Sequence, residues 1–151
     1  MPFVNTEEAI GSEALVNAFL DGSLTELLDD RITKIKAEAF ADSNELVSVS
    51  LPNNTTVGSS AFARCPKLQY VDIGYAKSIP SYAFQSCSAL AIMVIRTGSV
   101  CVLNTTGNSL DKCTFYVPSD LVEAYKVATN WSNFADRIRA IEDYPEITGG
   151  L

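Results

Sequence analysis

Val57-Gly-Ser-Ser-Ala-Phe62-Ala-Arg-Cys65-Pro-Lys-Leu68-Gln-Tyr-Val71-Asp-Ile73 decides the fold of this chain, because its pattern recurs on both sides at one fixed offset. Upstream, the same frame reads Ile35-Lys-Ala-Glu-Ala-Phe40 and then Leu46-Val-Ser-Val49-Ser-Leu51. Downstream it reads Ile79-Pro-Ser-Tyr-Ala-Phe84 and then Leu90-Ala-Ile-Met93-Val-Ile95. Positions 35/57/79, 39/61/83, 40/62/84, 46/68/90, 49/71/93 and 51/73/95 keep apolar character, and 43/65/87 read Ser, Cys, Cys, so the offset is 22 throughout. A period of about 20–29 residues containing L-x-x-L-x-L defines a solenoid, in which each copy exposes apolar residues that only its neighbours can bury. The predicted class is therefore an α/β repeat, a short solenoid of stacked parallel strands closed by an N-terminal cap helix and a C-terminal helical cap.

Each repeat divides into two parts. The L-x-x-V-x-L half alternates and carries β-branched residues, which predicts a short strand whose copies stack in parallel at about 4.8 Å. The half containing Ala61-Phe62 is short, polar on one side and bounded by Gly or Pro, which predicts a turn of helix or 3₁₀ across the coil. Phe40, Phe62 and Phe84 would then stack along the axis.

Outward from the repeats, residues 12–20 read as an amphipathic cap helix started by Ser12 and stopped at Gly22. Leu24 and Leu27 stand one period before Leu46 and Val49, so an incomplete first strand is expected there. After Arg96 the period fails: Thr106 stands where the next Phe belongs, and Thr105-Thr-Gly-Asn-Ser is turn-rich, so 97–112 read as an irregular coil or broken repeat. Thr114-Phe-Tyr-Val117 is the last strand expected. A helix capped by Ser119 or Asp120 runs to about Ala128, a second helix capped by Ser132 carries Phe134, Ile138 and Ile141, and the residues from Asp143 form a loose tail.

The line from Val57 to Ile73 resembles the leucine-rich repeats of the BspA type, whose unit is roughly I-G-x-x-A-F-x-x-C-x-x-L-x-x-V-x-I. The segment Tyr116 to Ile141 is similar to the helical end of prophage and tail-associated members, so the likeness covers about residues 24 to 141. The resemblance implies a bacterial surface or virion protein that works as an interaction module. It also organises the chain as one domain: cap and partial repeat at 1–30, three repeats at 31–96, a degenerate repeat and last strand at 97–118, a helical cap at 119–142 and a tail at 143–151.

Composition supports a packed, non-catalytic domain. Of 151 residues, 47% are hydrophobic and 19% charged, enough apolar content for a core. A net charge of −7 without a basic run argues against nucleic acid or an anionic membrane surface as partner. No stretch of about 18 apolar residues is present, so no membrane insertion is expected. Met1-Pro-Phe-Val-Asn-Thr-Glu-Glu lacks the basic and apolar regions of a signal peptide, which implies a virion-associated or internal protein before release, or an extracellular one whose leader was removed. Four cysteines without C-x-x-C, and no histidine, argue against a zinc site. Cys65 and Cys87 fall one repeat apart and read as buried free thiols, Cys101 continues an apolar ladder one period after Ile79, and Cys101 or Cys113 would be the exceptions to burial.

Candidate sites are few. No cofactor, metal or catalytic residue is expected, since histidine, G-x-S-x-G and a phosphate loop are all missing. Asp29 and Asp30 beside Arg31 could hold a cation, although a charged turn explains them as well. Trp131 reads as a packed hinge before a binding residue. The surface singled out is the outer strand face, where Ser48, Ser50, Tyr70, Asp72, Ile92 and Val94 are predicted to meet a protein or glycan partner. Ile92 and Val94 are apolar there, so either the C-terminal segment covers them, the preferred reading, or they join the contact patch.

Overall fold

A computed structural model describes residues 24–28, 32–51 and 54–150; the expected cap helix at 12–20 and the Asp29-Asp30-Arg31 turn lie outside these. The repeats wind into coils, each contributing one strand to a main sheet. Its strands are β1 (Glu26–Leu28), β3 (Ser48–Ser50), β5 (Tyr70–Asp72), β7 (Ile92–Val94), β9 (Thr114–Val117) and β10 (Ile138–Ala140), parallel and in that order. Leu27, Val49, Val71, Met93 and Phe115 lie opposite one another, each one period after the last, and all are fully buried. The incomplete first strand expected from Leu24 and Leu27 is β1. Across the coil, β2 (Lys34–Ile35) pairs with β4 (Thr56–Val57), and β6 (Ser78–Ile79) with β8 (Val102–Leu103).

On the phenylalanine side the coils form hydrogen-bonded turns rather than helix. Glu38, Asp42, Ser60, Arg64, Tyr82 and Ser86 have φ between 58° and 63°. Left-handed backbone costs a non-glycine residue about 1–2 kcal/mol, and each of these six recovers a bond to the next coil. Their N–H groups donate to the carbonyls of Ser59, Ala63, Ser81, Gln85 and Thr106 and to the Ser109 hydroxyl. Phe40, Phe62 and Phe84 stack inside this ladder, with centroids 5.6 and 5.7 Å apart and rings within 8° of parallel.

The fourth coil keeps the total length but divides it differently. Leu103 pairs with Ile79, an offset of 24, while Phe115 pairs with Met93 at the regular offset. Two residues have moved from the second half of the coil to the first. This overturns the expected Ile79–Cys101 equivalence and shows why the period fades after Arg96. The shortened half has no room for a fourth phenylalanine. Asn108 closes it instead: its side-chain oxygen accepts the Phe84 N–H at 2.8 Å, and its amide donates to the Pro80 and Asn104 carbonyls. Gly107 (φ +72°) lies under the Tyr82 ring, whose atoms would sit 2.1 Å from any Cβ there.

The C-terminal end differs from expectation in three places. The helix α1 (Val122–Val127) follows a 3₁₀ turn at Ser119–Leu121 and has no Ser or Asp side-chain cap of its own. Glu142 supplies one, accepting from the Ser119 N–H and hydroxyl, and the bond draws its carboxyl below the usual range. In place of a second helix there is a 3₁₀ segment, Trp131–Arg137, and then β10, which adds a sixth strand beside β9. The expected loose tail is structured too, with a 3₁₀ turn at Ile141–Asp143 and α2 (Pro145–Thr148).

Trp131 is buried in the hinge position. Its indole N–H donates to the Cys101 carbonyl at 2.6 Å, while the Tyr125 hydroxyl accepts the Cys101 N–H at 2.9 Å. Both backbone groups of Cys101 are thus satisfied by aromatic side chains of the following coil, as buried amides require. All four cysteines are free and buried, including Cys101 and Cys113, the expected exceptions. Cys65 and Cys87 donate to the Phe40 and Phe62 carbonyls of the preceding coil at 3.3 and 3.1 Å.

Candidate functional site

The outer face of the main sheet presents two rows of side chains. One runs Glu26, Ser48, Tyr70, Ile92 and Thr114; the other runs Leu28, Ser50, Asp72, Val94, Tyr116 and Arg139. Parallel registry fixes their spacing, because strand residues two apart share a face.

Exposure along these rows is uneven. Glu26 and Leu28 are exposed, and Ser48, Ser50, Tyr70, Ile92 and Thr114 are half-buried. Asp72, expected to face solvent, is buried at 8% exposure, and Val94 is buried at 0%, in keeping with the cover preferred for it. The cause is the C-terminal segment, which folds back over this half of the sheet. Ile141 forms a second apolar cluster with Val94 and Tyr116, against which Tyr70, Ile92, Tyr144 and Ile147 pack. Tyr116 and Tyr144 meet edge to face at 5.4 Å.

Asp72 anchors that cover. Its carboxylate accepts the Gly74 N–H at 2.9 Å and pairs with Arg96 at 2.9 Å. The Arg96 guanidinium also donates to the carbonyls of Thr148 and Gly150. One arginine therefore ties the sheet face to the segment above it. Burial, reinforced by the Asp72 charge, pushes the Tyr70 phenol above its ordinary pKa.

Of the six residues singled out from the sequence, Ser48, Ser50, Tyr70 and Ile92 remain accessible together on three adjacent strands, and Asp72 and Val94 lie beneath the cover. Arg96, Tyr116, Tyr144 and Ile147 were not anticipated. The available signal was the unbroken apolar run Ile92-Met-Val-Ile95, which marks a strand covered on both faces.

Among the described residues no three His, Cys, Asp or Glu side chains come together as metal ligands, and no helix is long and apolar enough to cross a membrane. Burial pushes the Cys101 and Cys113 thiols up to about 12, which keeps them protonated near neutral pH.

A stack of parallel coils with a regular repeat and one open face defines a leucine-rich-repeat solenoid. The sequence profile of the BspA type leucine rich repeat region (6 copies) matches residues 10–122, and the chain belongs to that family. A search of curated proteins found no match. Repeats of this family generally serve protein interaction rather than catalysis.

Proposed function

We propose that the chain is a non-catalytic interaction module of a phage tail or cell surface, and that it takes a protein or glycan on the uncovered strand face around Ser48, Ser50, Tyr70 and Ile92. The observation that carries this reading is the registered row of half-exposed side chains on a rigid sheet whose other half the chain itself covers. Tyr70 is its centre: a large, stiff ring beside short hydroxyls gives contact area at low entropic cost, and its own hydroxyl can bond a sugar or a backbone. Asp72 and Val94 take part by supporting the surface rather than by contact.

A screen of glycans and whole cells identifies the partner, after which Tyr70→Ala should weaken binding by about 1–3 kcal/mol. Binding at wild-type strength would refute the assignment. The covered half of the face favours a second reading, a rigid spacer in a phage particle; in that case the screen finds no partner while the chain still co-purifies with virions.

A further inference from the structure

The second sheet is interrupted between the second and third coils. In β2–β4 the Thr56 N–H donates to the Thr33 carbonyl at 3.1 Å and the Gly58 N–H to the Ile35 carbonyl at 2.8 Å. In β6–β8 the same bonds run from Val102 to Lys77 at 2.9 Å and from Asn104 to Ile79 at 3.0 Å. The intervening junction would need Ser78 to donate to Thr55 and residue 80 to Val57. Residue 80 is proline, which has no N–H to give. Its ring also occupies the position of Gly58, where even a Cβ would lie 2.5 Å from the Ala37 nitrogen. Both bonds are missing, and β4 and β6 lie side by side unpaired.

A notch of about 210 Å³ opens at this break, lined by Asn54, Thr55, Thr56, Val57, Lys77 and Ser78. Among the described residues the Val57 carbonyl and the Ser78 N–H have no backbone partner. Around them stand the hydroxyls of Thr56 and Ser78, the Asn54 amide and one charge, Lys77, which is exposed and forms no ion pair with any described residue. Backbone groups left open to water exchange it readily for a ligand that repeats its hydrogen bonds. Sugar hydroxyls both donate and accept, matching the carbonyl beside the N–H, and a lone ammonium calls for a carboxylate or sulfate.

We propose that this notch binds an acidic sugar, on a side of the coil separate from the main-sheet face. The test titrates the ¹⁵N-labelled full chain with glucuronate, glucose 6-sulfate, glucose and acetate. The expected result is a saturable shift of the Val57 and Ser78 amides with glucuronate or glucose 6-sulfate, at least about ten-fold weaker with glucose and absent with acetate. Whichever acid binds identifies the group held by Lys77. Lys77→Ala, an exposed change that leaves packing alone, should weaken the acidic sugar at least about ten-fold. Pro80→Gly copies the closed Gly58 junction, restoring the donor and the room for close approach, and should abolish the shift while protecting the Ser78 amide from exchange. No saturable shift with either acid, an equal response to acetate, or wild-type affinity in Lys77→Ala or Pro80→Gly would overturn the proposal.

Discussion

Phe62 has a phenylalanine ring on each side, so no neighbouring side chain can close over the space its removal would leave. Phe62→Ala should therefore cost about 3–5 kcal/mol, the range for large cavities with fixed walls. A urea midpoint unchanged from wild type would contradict the stack. The thiols give a second prediction, in pH. Cys101 and Cys113 are pushed from 9.0 to about 12 by burial, so in the unfolded chain they ionise first. The folded state then holds more protons between these values, and stability should fall as pH rises above 9, by about 1.4 kcal/mol per unit for each thiol. Urea unfolding at pH 8 and pH 10 measures the loss, and Cys113→Ala should remove its share. Side-chain identities at repeat positions were legible in the sequence because burial repeats with the period. The left-handed residues were not, since Glu38, Arg64 and Tyr82 are held there by bonds to a neighbouring coil and not by any local preference.

At the scale of elements, strand register was readable wherever the offset stayed constant, and the fourth coil was not, because two residues moved between its halves without changing its length. β10 was unreadable for a related reason: Ile138 and Ala140 alternate like any short apolar run, and only the open edge of β9 selects a strand for them. The polar tie between the sheet and its cover runs through a single side chain. Arg96 joins Asp72 to the carbonyls ahead of the C-terminus, so Arg96→Ala leaves a largely buried carboxylate without its cation and the segment without its anchor. Stability should drop by about 3 kcal/mol. Amide exchange should rise in Ile141–Thr148 and in Val94, and Asp72→Asn combined with Arg96→Ala should recover part of the loss. Equal destabilisation in the single and double variants would show that the pair does not act as a unit.

For the whole molecule, the repeats touch one another coil by coil and only the segment after β10 reaches back over β5 and β7, so the stability of the array resembles a chain of nearest-neighbour terms. The aromatic residues after β9 pack onto the last coils. Tyr125 and Trp131 meet edge to face at 5.1 Å, Trp131 meets Phe115 in the same way at 5.1 Å, and between them they satisfy the Cys101 backbone. Trp131→Ala removes a fully buried indole together with the donor to a buried carbonyl, a loss of about 3–5 kcal/mol. Its effect should spread by proximity along the axis rather than evenly. Hydrogen exchange should quicken most in Val102–Leu103 and Thr114–Val117, less in Ile92–Val94, and least in Ser48–Ser50, which lies two coils further away. A uniform rise in exchange across all strands would instead mean that the solenoid unfolds as one unit, with its coils too strongly coupled for the Trp131 packing to protect its neighbours selectively.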